Sequence, residues 1–271
     1  MLRSSRRART PLLWAAAAAA LIGHASGCSN TAAQGTVGVY LPDSVALSML
    51  IRDFKKYDAA DPTTNPAFHN SQMRTSELDV VAGTLGPDSK PVYKTPANNV
   101  LTFGKQYFDQ WYHDVPVTNI AVSYPIMLTT NSDGLLAYDC HNTGTPDMAT
   151  GTPRLLFFPI DDGTSFMTAF GDEGDMHNFA FTGELHALFT YTGQGVFKFR
   201  SDDDLYVFID GTLIAAASAP GQHVAEAKML DVTALGLTAG HEYPLDLFYA
   251  ERAGAAGDFM MATSIVLRAV P

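Results

Sequence analysis

Between residues 154 and 270, apolar and polar positions alternate in short runs. Residues 154–160, 178–181, 185–191, 196–200, 205–209, 212–216, 243–251 and 259–270 are each rich in Val, Leu, Ile, Phe, Tyr or Ala, with turn-forming residues between them. Runs of that length and spacing predict antiparallel strands closed into a sandwich or barrel. Asp210-Gly211 falls between two of them, and this pair favours a two-residue hairpin because both central positions take positive φ. A second turn is predicted at 237–240. Earlier in the chain, Val45, Leu47, Leu50, Ile51 and Phe54 could share one side of a helix, which makes 44–54 the one short N-terminal helix predicted; an extended strand over 45–52 is the rival reading. From 62 to 125, Pro, Gly, Asn and Asp recur every few residues around short runs such as Val92-Tyr93 and 119–124, predicting loop-rich β structure or long decorated loops. There is no internal repeat.

The first residues follow a different pattern. Arg3, Arg6, Arg7 and Arg9 precede an alanine-rich apolar run over 11–22, the order of an export signal. That run is well short of the roughly 20 residues that cross a bilayer core, so it predicts a removable signal and not a permanent span. Ala25-Ser26-Gly27-Cys28 resembles the bacterial lipobox, whose cysteine is acylated after cleavage in front of it. The resemblance implies that 1–27 is a signal peptide, 28–44 a lipidated N-terminus and tether, and 45–271 the folded domain. Cys28 is then the lipidation site, because several acyl chains hold a protein where one does not. Plain secretion with a chance cysteine is the alternative. By the same resemblance, Ser29 in place of Asp favours the bacterial outer membrane or cell surface, and Ser5-Arg6-Arg7 is an incomplete twin-arginine motif.

Charge narrows the partners. The chain holds 17 Lys and Arg against 28 Asp and Glu; without residues 1–27, which carry four arginines and no acids, 13 basic residues remain and the net charge is near −15. Such a surface repels nucleic acid and anionic lipid, and supplies carboxylates for hard cations or a solvated face. The membrane is expected to be met only through the lipid. With Cys28 acylated, Cys140 is the one remaining thiol, so stability must come from packing and, where one binds, a metal, with no internal disulfide. Cys140 reads as a small buried residue and not as a nucleophile.

Candidate chemistry gathers at Ser201-Asp202-Asp203-Asp204, between the runs 196–200 and 205–209. Neighbouring side chains on extended backbone point to opposite faces, so Asp202 and Asp203 clamp one ion only if the peptide between them bends sharply. A cis peptide would do so at a cost of about 2.5–4 kcal/mol, which a calcium ion held by carboxylates and carbonyls could offset. A solvated acidic turn is the plainer alternative. Trp111 and Tyr112, within 108–113, are ligand-binding aromatic candidates for stacking on a sugar, against the competing reading of buried packing.

Ser201-Asp202-Asp203, followed by 205–209 and Asp210-Gly211, resembles the core signature of the PA14 superfamily. Its lectin-like members use adjacent aspartates joined by a cis peptide to hold calcium and, through it, sugar hydroxyls. More narrowly, 177–184, Phe189, Tyr191, 199–211 and 240–252 resemble the fibro-slime domain of bacterial surface proteins and slime-mould extracellular proteins. Upstream, Ile51-Arg52-Asp53-Phe54, Pro66-Ala67-Phe68, Lys90-Pro91-Val92-Tyr93, Phe108 with Trp111 and Tyr112, and 157–161 fit the same family. The resemblance therefore spans about 45–269. It implies an all-β, PA14-like β-sandwich or barrel with long loops, and Ca2+ as cofactor. Asp202, Asp203 and Asp204 are the implied metal ligands, with His223, Glu251 and Asp210 in support, and the implied partner is an extracellular glycan or matrix polymer. One departure weakens the metal: the family pattern carries an acidic residue and a glycine pair before a histidine, whereas residues 215–222 hold no acid before His223.

Catalysis has less support. There is no His-Glu-x-x-His, Gly-x-Ser-x-Gly, phosphate-cradling loop or zinc pattern. A glycosidase needs only two carboxylates at the right separation, and Asp161, Asp162, Asp172, Glu173, Asp175, Glu184 and Glu251 are candidates, which keeps a polysaccharide hydrolase as a second alternative. The acidic stretch 171–177 lacks the register of an EF-hand and reads as a solvated loop. The expectation is a non-enzymatic, calcium-assisted adhesion domain; a structural surface component without metal or glycan is the first alternative.

Overall fold

A computed structural model describes residues 40–68, 80–94, 102–140, 156–162, 170–217, 228–252 and 257–270, all within one compact unit, Tyr40–Pro271. Cys28 and His223 lie outside the described residues. The strands are β1 Ser44–Phe54, β2 Val81–Leu85, β3 Pro91–Tyr93, β4 Asn119–Thr130, β5 Leu136–Asp139, β6 Phe181–Thr190, β7 Val196–Ser201, β8 Asp204–Ile209, β9 Thr212–Ala217, β10 Lys228–Asp231, β11 Glu242–Glu251, β12 Phe259–Thr263 and β13 Arg268–Ala269. One α-helical turn, α1, covers Lys105–Phe108, and a 3-10 turn covers Val232–Leu235. The expected all-β class is what the chain adopts.

Every pairing is antiparallel, in the order β10-β7-β12-β5-β4-β1-β6-β11-β8-β9-β2-β3, with β13 also against β6. The sheet curls until distant strands meet, Lys228 Nζ of β10 donating to the Ala216 carbonyl of β9 at 2.9 Å. Side-chain alternation gives this curled sheet two distinct faces. On the inner face Leu47, Met49 and Ile51 of β1, Phe181 and Leu185 of β6, Leu205 and Val207 of β8, and Leu245, Leu247 and Tyr249 of β11 form the main core. The intervening residues point outward, where Phe54, Tyr206, Phe208 and Phe248 form a second core.

That second core explains the early loops. Ala67, Phe68, Val80, Val81, Tyr93, Phe108, Trp111 and Tyr112 pack on the outer face, so the described residues between β1 and β4 form a cap over β1, β6, β11 and β8. Strands apolar on both faces occur where both faces are covered, and β8 is buried at all six positions.

The predicted helix over 44–54 is corrected to strand β1. Val45, Leu47, Met49 and Ile51 supply an inner set with period two, while Phe54 turns outward into the second core. The segment is hydrogen-bonded on both sides, to β4 and β6, and this ladder overrides the helical spacing. The Asp210-Gly211 hairpin forms as expected, with φ of 51° and 68°.

Candidate functional site

Ser201 ends β7 and Asp204 begins β8, so Asp202 and Asp203 form the turn. Ser201 Oγ donates to the Asp203 carbonyl at 2.9 Å and accepts from its N–H at 3.2 Å, which tightens the bend. Asp202 is half-buried; Asp203 and Asp204 are buried. The expected cis link is corrected: no cis peptide occurs among the described residues. Hydrogen bonds set the bend instead, since the Asp202 carboxylate accepts from the Asp258 N–H at 2.6 Å and the Asp203 carboxylate from the Arg252 N–H at 2.7 Å.

Alternation separates the third aspartate from the other two. Asp204 faces outward, where its oxygens accept from Tyr206 Oη at 2.9 Å and from Arg252 Nε at 2.5 Å. The Arg252 guanidinium in turn sits 4.5 Å over the Trp111 ring. Asp204 is therefore corrected from metal ligand to partner of a buried arginine. Asp210 also falls away from the site, at the opposite end of β8 and exposed.

Glu251 comes to the site from the neighbouring strand. Ala250 pairs with Asp204, so the next position of the ladder sets Glu251 opposite Asp203 on the inner face. Tyr249 Oη donates to Glu251 Oε2 at 3.0 Å, while Oε1 is buried with no hydrogen-bond partner. Burial, reinforced by the charges of Asp203 and Asp202, holds the Glu251 carboxyl well above the usual range. Burial and then the charge of Asp204 do the same to Asp203, against the pull of Arg252. Two buried carboxyls thus stand beside Asp202 at the turn. Among the described residues no three His, Cys, Asp or Glu side chains are already gathered as a metal cage.

Around this turn the remaining groups are structural. Arg200 binds Asp258 at 2.7 Å and Asp139 at 2.8 Å, and Cys140 is buried with its thiol against Asp258 at 3.4 Å. Burial pushes that thiol up to about 12, so it is no nucleophile at neutral pH. The aromatic candidates are corrected: Trp111 is fully buried and Tyr112 nearly so. Phe108 lies 4.8 Å from Trp111, and Phe248 lies 4.9 Å from Tyr112, so neither ring offers a face to a sugar. Asp258 was absent from the expected site because no motif marks it; its one signal is its place directly before β12.

Comparison with known proteins adds the following. The family model for the PA14 domain matches residues 166–267. Protein psiD of Dictyostelium discoideum is 32% identical over 224 residues, 78% of this chain and 39% of that protein. Protein psiC of the same organism is 29% identical over 244 residues, 86% of this chain and 43% of that protein; the chain spans less than half the length of these curated relatives. Among solved structures, a PA14 sugar-binding domain from an RTX adhesin covers 81% of this chain and 90% of its own, with 12% identity and TM-score 0.34. The epithelial adhesin 9 A domain of Candida glabrata, in complex with Galb1-4GlcNAc, covers 83% and 90%, with 14% identity and TM-score 0.34.

Proposed function

We propose, from the premise that this chain carries a PA14 domain over residues 166–267, that it is an adhesion module of the fibro-slime kind. It binds an extracellular glycan or matrix polymer with the help of Ca2+, exported and anchored at the cell surface through lipid on Cys28, and performs no catalysis. The observation that carries the reading is the buried, unpartnered Glu251 Oε1 beside Asp203 and Asp202. A buried carboxylate oxygen without a donor is costly, and a hard cation meets that deficit. Calcium takes six to eight oxygens; the Asp202 and Asp203 carboxylates and Glu251 Oε1 are those that this chain would supply, leaving positions for solvent or sugar hydroxyls. Bound there, the ion would offer sugar hydroxyls a positive charge.

Calcium titration by calorimetry tests this. Wild type is expected to release or absorb heat that D202N/D203N does not; equal heats, or none from either, remove the metal. A glycan array with and without calcium then reads the ligand, and binding indifferent to calcium separates glycan recognition from the ion.

A second reading is favoured by a specific feature. The Asp202 and Asp203 carboxylates already accept N–H donors from Asp258 and Arg252, so the turn is held without an ion. In that case the domain is a structural surface component, its melting temperature is unchanged by chelator, and the glycan array is silent.

A further inference from the structure

A separate cluster lies on the same end of the sheet. Asp53 and Glu251 both pair with Phe181 in the ladder, so Asp53 stands two strands from Glu251, roughly 10 Å at ordinary strand spacing, facing the inner side. Asp53 is fully buried. Its Oδ1 accepts from Asn178 Nδ2 at 2.8 Å, and the same amide donates to the Gly171 carbonyl at 2.9 Å. Its Oδ2 has no hydrogen-bond partner. One amide therefore ties the acidic loop 170–178 to the end of β1, and half of the carboxyl it grips is uncompensated.

We propose that Asp53 and Asn178 form a proton-dependent clasp, which holds the loop 170–178 against β1 while Asp53 is neutral and releases it when Asp53 ionises. A neutral carboxyl leaves Oδ2 without charge in an apolar setting, whereas an ionised one puts a buried negative charge beneath a loop that is itself acidic. Burial sets the direction, and the charged groups facing it do not reverse it. Glu173 of the loop repels it, and its own carboxylate is taken up by the Lys56 N–H. Lys56 Nζ is occupied by Asp175 at 2.7 Å, Lys55 by Asp61 at 3.6 Å, and Arg52 turns to the other face, toward Glu184 and Asp114. From the adjoining turn Asp161 is bound to His177 at 2.7 Å, and the Asp162 N–H binds Asp172 at 2.9 Å. No cation among these is directed at Asp53. Burial accordingly raises its carboxyl to about 7, against the Asn178 amide and the backbone N–H groups of Gly171 and Phe170.

The sign follows by linkage. A carboxyl raised from 3.8 to about 7 stabilises the closed loop fully below its ordinary value, and this contribution is lost as pH rises through about 7. Each pH unit within that window weakens closure by up to about tenfold. Asp172, raised by burial to about 6, adds to the same trend over a lower range.

Hydrogen exchange on the full chain, corrected for intrinsic rates and followed from pH 5 to 8 with calcium chelated, tests the clasp. Protection of 170–178 is expected to fall up to about pH 7 and level off above it, while the β6–β11 core stays constant; D53N, which mimics the neutral acid, is expected to lose the larger part of that change. Flat protection in wild type, or an undiminished fall in D53N, overturns the proposal. Should D53N fail to fold, carbon NMR titration of wild-type Asp53 decides: a midpoint near 7 supports the clasp, and an ordinary aspartate value refutes it.

Discussion

At Glu251 two oxygens of one carboxylate have opposite fates, Oε2 held by Tyr249 and Oε1 unpartnered in the core. Its carboxyl is raised by burial and by Asp203 and Asp202, so the stability that its proton supplies is whole below the ordinary carboxylate value and lost as pH rises. E251Q removes that dependence. In urea unfolding with calcium chelated, the difference between E251Q and wild type is expected to move in the mutant's favour from pH 4 to pH 8; a difference constant with pH would place Glu251 in solvent. Trp111 belongs to the same scale. It is wholly buried and carries Arg252 on its face, so W111A is expected to lose about 3–5 kcal/mol in denaturant melts. A wild-type melting midpoint for W111A would return the indole to the surface. The aspartate pair was legible from adjacency and from its place between two strands. That Asp204 belongs to Arg252 was not legible, because the arginine lies 48 positions away in the chain.

At the level of elements, the cap and the sheet are joined through Glu184 of β6. Its carboxylate binds Arg52 of β1 at 2.7 Å, Lys90 from the turn between β2 and β3, and His186 at 2.6 Å, while the other nitrogen of His186 binds Asp246 of β11 at 2.6 Å. Burial would raise Glu184, but His186, Lys90 and Arg52 outweigh it and bring the carboxyl down to about 2. Burial would lower His186, and Asp246 and Glu184 outweigh it, raising the imidazole to about 9. The two shifts bound a stable window. The Glu184 contribution is present above the ordinary 4.5 and lost as pH falls through about 2; the His186 contribution is whole below the ordinary 6.5 and lost as pH rises through about 9. E184Q leaves Lys90 without its carboxylate and Arg52 with Asp114 alone, and is expected to cost about 3 kcal/mol near neutral pH, with exchange in β2 and β3 accelerated more than in β4 and β5. Uniform acceleration would show that the cap has no special dependence on this ion pair. The later strands could be read from their alternation, whereas β1 carried helical and extended periods at once, and only its ladder to β4 and β6 chose between them.

For the whole molecule, the proposed activity divides into tests that can fail separately. If calcium binds at Asp202 and Asp203, it stabilises the native state by mass action, so the melting temperature is expected to rise with calcium in wild type and not in D202N/D203N. The proposed anchor is independent of this: C28A is expected to abolish fatty-acid labelling of the protein, and retained label would refute the anchor at Cys28. Sequence alone determined the all-β class, the Asp-Gly hairpin and the position of the aspartate turn, because each rests on spacing between near neighbours, which alternation and turn chemistry record directly. The tertiary structure decided that Trp111 and Tyr112 are core, that Asp204 faces away from Asp203, and that Glu251 and Asp53 stand at the same end of the sheet. Those outcomes depend on register between strands distant in the chain and on which face a cap covers, and burial on both faces erases the polar and apolar contrast through which a sequence announces them.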